Sequence, residues 1–499
     1  MLIRLLISAC LALLALAPAA RAGHTQESIL QDDGLLLFDG AATRDATLDE
    51  MRALGADSVR AFVYWTSVAP EARSTQRPPG FDATDPGAYP SDRWNAFDGL
   101  VRAAQARGLS VILTPTSPAP AWASECAGSA VSRQSCRPSP AEYGAFLTAL
   151  GARYSGTYAD EDDGGATLPR VARWGLFNEP NVGRWLTPQF VRRGGRLVAA
   201  SPARYRRLAA AGIASLRATG HGTDQILLGE TAPIGNTTGA ISRRPVATAT
   251  FWRDLLCLDR SGRALRGRAA VEQECTSHPA RLLATAVAHH PYVRGGSRAP
   301  YTRPRPDEVT IANPSRLITI LNQGARLGRL PGNLPLYYTE FGFQTDPPDN
   351  VLGVPLRRQA EYLNQSDWIA YRQARVRGVA QYLLRDDSGN GGFQSGLKFA
   401  DGRVKPSYGA YRFPVWVVRQ GVSVTVFGQV RHAREGEPGI VRVQVRLPGK
   451  GWATYRSVKP NSQGFVLSRM WSKRGVWRLV WEPDGGQPDI SRVTREATR

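Results

Sequence analysis

The pattern of hydrophobic positions changes period once along this chain, near residue 413. Before that point, short apolar runs alternate with segments whose apolar residues recur at helical spacing. Runs at Gly34–Phe38, Ser58–Tyr64, 109–114, 171–177, 225–229, 284–289, 334–339 and 378–384 read as strands. Between most of them lie helical segments at 47–54, 94–107, 141–154, 201–218, 251–258, 314–327 and 356–376. In the second of these, Trp94, Phe97, Leu100, Val101 and Ala104 repeat at i, i+3, i+4 and i+7, the stripe of an amphipathic helix. Ser139-Pro140, Ser201-Pro202 and Asn313-Pro314 are helix openings, a polar capping residue followed by proline. Eight strands alternating with helices predict an α/β fold, a parallel (β/α)₈ barrel. A doubly wound open sheet is the alternative, but no glycine-rich phosphate loop follows the first strand.

From Val415 onward the period is two. Val422, Val424 and Val426 alternate with polar residues, as do Val441, Val443, Val445 and Leu447, then Trp477, Leu479 and Trp481. Turn-rich segments at 435–439 and 448–451 punctuate the runs. This predicts a small immunoglobulin-like β-sandwich over 414–483, a barrel domain over 23–413, and a polar, flexible tail over 484–499.

The first 22 residues carry a charged start at Arg4, an apolar stretch over 5–17 and a small-x-small site at Ala20-Arg21-Ala22, the pattern of a secretory signal peptide. Cys10 would leave with it. The stretch is too short to span a membrane, and no later run has the length. Secretion is therefore the expected localisation, extracellular or associated with the cell surface. Four cysteines then remain, and their close spacing favours disulfides Cys126–Cys136 and Cys257–Cys275 in an oxidising compartment. Neither a C-x-x-C nor a suitably spaced histidine supports zinc, and no cofactor motif is present. The net charge of +21 comes from arginine, with only five lysines. These arginines are scattered over the whole chain rather than run together, which argues against nucleic acid and leaves contact with cell-wall glycans open.

Chemistry concentrates in two runs. Trp174-Gly175-Leu176-Phe177-Asn178-Glu179-Pro180-Asn181 and Leu336-Tyr337-Tyr338-Thr339-Glu340-Phe341-Gly342 each end a strand with a glutamate. In a (β/α)₈ barrel the C-terminal strand ends share one face, so Glu179 and Glu340 would meet there. Two carboxylates across a glycosidic bond are what glycoside hydrolysis requires. Read singly, each glutamate is equally a structural ion-pair partner at a strand end.

Asn-Glu-Pro ending one strand and Thr-Glu-Phe-Gly ending a later one resemble the clan A glycoside hydrolases, with families 5 and 39 nearest. The resemblance spans about 34–412. It implies a retaining hydrolase of a β-linked glycan, with carboxyls about 5 Å apart, Glu179 as acid/base and Glu340 as nucleophile. It further implies that Asn178 binds the sugar 2-hydroxyl and that Arg60, on the second strand, holds the nucleophile and lowers its pKa. His290 and Tyr292 match a His-x-Tyr after the sixth strand, with His289 competing for the histidine's role. The third strand ends Thr114-Pro115-Thr116 without the family 5 histidine. The eighth ends without its tryptophan, for which Trp122 or Tyr382 would substitute.

Trp65, Trp122 and Trp185 follow strands two, three and four, as stacking platforms for sugar rings or as packing. The substrate class expected is an oligo- or polysaccharide. An endo-acting, cellulase-like or mannanase-like glycanase is one rival, and a non-catalytic glycan-binding wall protein is another.

Overall fold

The computed structural model describes residues 25–498 apart from 237, 390–391 and 434–438; the segment read as a signal peptide lies outside the described residues. Eight parallel strands close into a barrel in the order β1-β8-β7-β6-β5-β4-β3-β2. They are β1 (Glu27–Gln31), β2 (Ser58–Tyr64), β3 (Ser110–Thr116), β4 (Arg173–Leu176), β5 (Gln225–Thr231), β6 (Ala286–His289), β7 (Leu336–Tyr338) and β8 (Val376–Tyr382). Around them stand α1 (Ala41–Ala53), α2 (Asn95–Ala106), α3 (Pro140–Arg153), α4 (Ser201–Leu216), α5 (Thr248–Leu255), α6 (Pro314–Arg326), α7 (Leu356–Tyr371) and α8 (Pro406–Arg412). The α/β reading holds, and the open sheet is excluded by closure of β1 on both β2 and β8.

One strand was misplaced in the sequence reading. The first is Glu27–Gln31, whose polar ends hide it, rather than the apolar run Gly34–Phe38. That run curls into a wide helical turn. The Asp32 carboxylate accepts the Leu35 N–H at 3.2 Å and the Asp32 carbonyl accepts that of Leu36 at 3.0 Å, which ends the extended backbone. Leu35, Leu36 and Leu37 are buried all the same, so their apolarity reports packing and not strand.

Ile29, Ile112, Leu227, Ala286, Ala288, Tyr337 and Ala380 form a compact inner cluster contributed by β1, β3 and β5 to β8. The larger core lies between barrel and helices and includes Trp94, Phe97, Leu100 and Val101 from the stripe read on α2. Two disulfides are formed, Cys126–Cys136 in the loop after β3 and Cys257–Cys275 after α5. No helix among the described residues is long and apolar enough to cross a membrane.

The C-terminal part is a pair of antiparallel sheets. Its strands are β9 (Val415–Gln420), β10 (Ser423–Gln429), β11 (Gly439–Arg446), β12 (Trp452–Val458), β13 (Phe465–Trp471) and β14 (Val476–Pro483). One sheet runs β13-β10-β9, the other β12-β11-β14. Val424, Val426, Val441, Val443, Trp477, Leu479 and Trp481 meet between them, the inward faces of the period-two pattern. Val422, counted in that pattern, is 59% exposed. It sits in the tight turn before β10, where alternation has not begun.

Past Pro483, the described residues up to 498 pair with the sheets where a flexible tail was expected. Asp489–Ile490 and Thr494–Arg495 pair with β14, and Ala497–Thr498 pairs with β9. The Glu496 carboxylate accepts from Arg419 Nη2 at 2.7 Å and Trp477 Nε1 at 2.9 Å. Polar composition predicted flexibility, but backbone pairing and one half-buried carboxylate hold the segment. The sheets sit on the barrel through Trp368 and Tyr371 of α7, packed on Trp416, Phe427 and Phe465.

Candidate active site

Arg60 lies on β2 with none of its surface exposed. A guanidinium has five N–H donors, and here every one is used. Nε donates to Thr114 Oγ1 at 3.3 Å on β3. Nη1 donates to Gln31 on β1 and to Glu340 Oε2 at 3.3 Å, just past β7. Nη2 donates to Asn178 Oδ1 at 3.0 Å, just past β4, and to Glu230 Oε2 at 2.6 Å on β5. One side chain thus ties the C-terminal ends of six of the eight strands.

The backbone around this hub is held in unusual conformations. Phe177, Glu179 and Glu230 have φ of 73°, 37° and 46°. Non-glycine residues in the left-handed region cost free energy and cluster where function needs a particular aim. The Glu179 N–H donates to the Glu230 carbonyl at 3.0 Å, and the Asn178 N–H to Thr116 Oγ1 at 3.0 Å, so the turn after β4 is pinned from both sides. Asn181 seals it further, donating from Nδ2 to the carbonyls of Ala232 and Val246 at 3.0 Å each. Gly175 is required by space. A Cβ there would lie 2.3 Å from Thr114 Oγ1 and 2.5 Å from Glu230 Oε1, which hydrogen-bond each other across β4 at 3.1 Å.

Glu179 and Glu340 meet at the mouth of the barrel. One ligand atom from each, with one ring nitrogen of His290, lie within 4.8 Å of one another. Such a trio has the spacing of a metal ligand set, but its members are already engaged, Glu340 by Arg60 and Tyr292 and Glu179 by His290. Tyr292 donates its phenolic hydrogen to Glu340 Oε1 at 3.0 Å. His290 Nδ1 lies 3.1 Å from Glu179 Oε1 and 3.8 Å from Glu340 Oε2. Burial pushes His290 down to about 4, so it stands neutral at neutral pH.

The two carboxylates differ in what surrounds them. Burial pushes Glu179 up to about 7, while a hydrogen bond from Trp185 and the charges of Arg60 and Arg184 pull it back. Glu340 is also raised by burial, opposed by His290, Arg60 and Tyr292 and reinforced by Glu179. Arg60 pulls Glu340 down as expected, but the net shift is upward. Desolvation outweighs a cation at 3.3 Å whose charge is shared with Glu230. A rise at Glu179 is what an acid/base needs, and burial is its cause.

Other expected site residues separate cleanly. Asn178, Arg60, His290 and Tyr292 converge on the two glutamates. His289, the competitor, is buried elsewhere, between Thr231 Oγ1 and the Val309 carbonyl at 3.0 Å each. Trp65 is not a sugar platform; it is fully buried and stacked on Phe146 at 5.3 Å. Trp122 is not one either, being 7% exposed, edge-on to Trp65 and bonded through Nε1 to the Pro70 carbonyl. Both belong to a buried cluster of aromatic rings with Phe81, Tyr143 and Phe146, which claims them before a ligand could. Trp185 does border the site, partly exposed, bonded to Glu179 and parallel to Tyr64 at 6.3 Å. Tyr382 ends β8, where burial first and the nearby Glu340 charge next hold its phenol well above its ordinary pKa. Glu230 and Gln31 were missed. The Leu228-Gly229-Glu230-Thr231 run, a third strand ending in a glutamate, was the available signal.

No protein-family model matches the chain, and no curated protein does. Solved structures similar to it are glycoside hydrolases. A GH5_18 protein from Streptomyces cattleya, solved with GlcNAc, is 17% identical with a TM-score of 0.47, covering 78% of this chain and 79% of that one. A GH30 endoxylanase from Clostridium papyrosolvens is 11% identical with a TM-score of 0.46, covering 92% and 96%. A family 1 β-glucosidase from Thermotoga maritima is 14% identical with a TM-score of 0.46, covering 75% and 85%. At such values the barrel of this chain is read from its own strand pairing, and its chemistry from its own side chains.

Proposed function

We propose that this protein is a retaining glycoside hydrolase that acts on a β-linked glycan outside the cell. The observation that carries the reading is the pair Glu179 and Glu340, in one cluster within 4.8 Å at two strand ends. That spacing suits direct attack rather than insertion of a water, which needs about 6.5–9.5 Å.

In this reading Glu340 attacks the anomeric carbon while Glu179 protonates the departing oxygen, and a glycosyl ester forms on Glu340. Loss of the Glu340 charge lets Glu179 remain ionised. Glu179 then takes a proton from water, the water oxygen attacks the same carbon, and the ester bond breaks. The Tyr292 hydroxyl and Arg60 fix one carboxyl, while His290, a neutral donor, fixes the other. Asn178 has its carbonyl oxygen on Arg60, and its amide nitrogen, without a partner among the described residues, is available to a sugar hydroxyl. Trp185 and Tyr382 offer ring faces beside the reacting carbon. Secretion is supported by the signal pattern over 1–22 and by the two disulfides.

The test is hydrolysis of aryl β-glycosides and of β-glucan, mannan and xylan by the mature protein, with Glu340→Ala beside it. Turnover that vanishes in the variant supports the reading and names the sugar. Polymer cleavage without turnover of aryl glycosides selects the endo-acting form. Binding of a glycan with no turnover, in folded protein, selects the wall-binding reading.

A further inference from the structure

Glu230 has no part in the two-carboxylate chemistry, yet it is the closest carboxylate to the arginine that serves it. Its carboxylate is fully buried and 2.6 Å from Arg60 Nη2, against 3.3 Å from Arg60 Nη1 to Glu340. Thr114 donates to its other oxygen at 3.1 Å, and Gly175 leaves the space for that contact. A single cation therefore answers two buried carboxylates, with Glu179 a third negative group when ionised. Such a surplus is costly in a purely structural ion pair, where one acid per base minimises the desolvation left uncompensated.

Resting on the glycosidase reading, we propose that Glu230 is a positioning residue that draws Arg60 away from Glu340 and thereby sets the pH at which the nucleophile ionises. The groups facing Glu340 are Arg60 and Tyr64 on β2, Glu179 after β4, His290 and Tyr292 after β6, and Tyr382 on β8. Asp33, after β1, and Glu230 reach it through Arg60. Of these, Glu230 alone is anionic, bonded to Arg60 and away from the reacting atoms. With the Glu230 charge gone, the guanidinium has Glu340 as its only bonded carboxylate, and the ionised nucleophile is favoured to lower pH.

The test uses the full chain and needs no substrate. Water-soluble carbodiimide modifies protonated carboxyls, and peptide mass spectrometry reads the extent at Glu340 across pH. In Glu230→Gln the midpoint for Glu340 falls by about one pH unit. In Glu230→Asp, which withdraws the carboxyl by one methylene, it falls by less. A midpoint that is unchanged or raised in either folded variant overturns the proposal. So does loss of the fold in both, which would assign the pair to stability alone. If the wild type hydrolyses no glycan but the midpoint still moves, the catalytic reading fails while the Arg60 linkage stands. If hydrolysis is found, its acid limb shifts down with the midpoint.

Discussion

Two arginines cross-link the barrel, one at each end, and they are built differently. At the N-terminal end, Arg173 on β4 donates to Gln225 on β5 at 2.8 Å, to Ser58 on β2 and to Glu27 on β1, and lies over the Tyr337 ring of β7. Its one carboxylate partner, Glu27, has 30% of its side chain exposed. At the C-terminal end, Arg60 ties six strands against five and holds two carboxylates, Glu230 fully buried and Glu340 nearly so, with Glu179 adjacent. The first arrangement balances charge at the edge of water. The second carries excess negative charge inside, flanked by left-handed non-glycine backbone at Phe177, Glu179 and Glu230. A fold that needed only a clasp would repeat the first. The cost of the second is matched by what burial does there: it holds the Glu179 proton up to about 7 and raises Glu340 above its ordinary value.

The contrast breaks most visibly at the carboxylates. Glu340→Gln lowers hydrolysis by about a thousand-fold or more, and Glu179→Gln by about a hundred- to ten-thousand-fold on substrates with poor leaving groups. Steady-state rates on the substrate found in the panel decide both. Next comes Arg60→Met, which strands two buried carboxylates. We expect a loss of about 3–5 kcal/mol in denaturant titration, together with loss of hydrolysis. Arg173→Met costs about 1 kcal/mol and leaves hydrolysis unchanged, because its partner can turn to water. Equal stability losses for the two arginines would erase the distinction between the ends. Gly175→Ala drives a methyl between Thr114 and Glu230 and costs about 1–3 kcal/mol, read by thermal melting.

The smallest effect is on pH. Glu179 acts protonated, and burial holds its proton up to about 7, so hydrolysis declines as pH rises through that value. The bond from Trp185 favours the ionised form, so its removal in Trp185→Phe raises the pKa. The alkaline limb of the rate profile then moves up by about half a pH unit. A downward move would place Trp185 in a different role.

The sequence disclosed the barrel through seven of its eight strands and the site through its two glutamate-ended runs. β1 escaped because Glu27 and Gln31 bracket only three residues between them, and the leucines that follow advertise a strand where Asp32 makes a turn. The convergence of Glu179, Glu340, Asn178, Arg60, His290 and Tyr292 was legible because strand-end position fixes where side chains meet in a barrel. Trp65 and Trp122 were not, since an aromatic after a strand serves packing or ligand equally well until its neighbours are known. Glu230 gave only a weak signal, its place near the end of a strand, for a related reason. A lone glutamate in an apolar run gains meaning only when Arg60 is seen reaching it across the barrel. The ordered tail depended on backbone pairing, which polar composition does not report.

The most direct test is the anomeric form of the first sugar released from a β-glycoside substrate, followed by proton NMR before mutarotation. Carboxyls this close, with Glu340 as nucleophile, predict the β-anomer first, and its release abolished in Glu340→Gln. Release of the α-anomer first, or of either anomer at an undiminished rate by Glu340→Gln, would contradict the account.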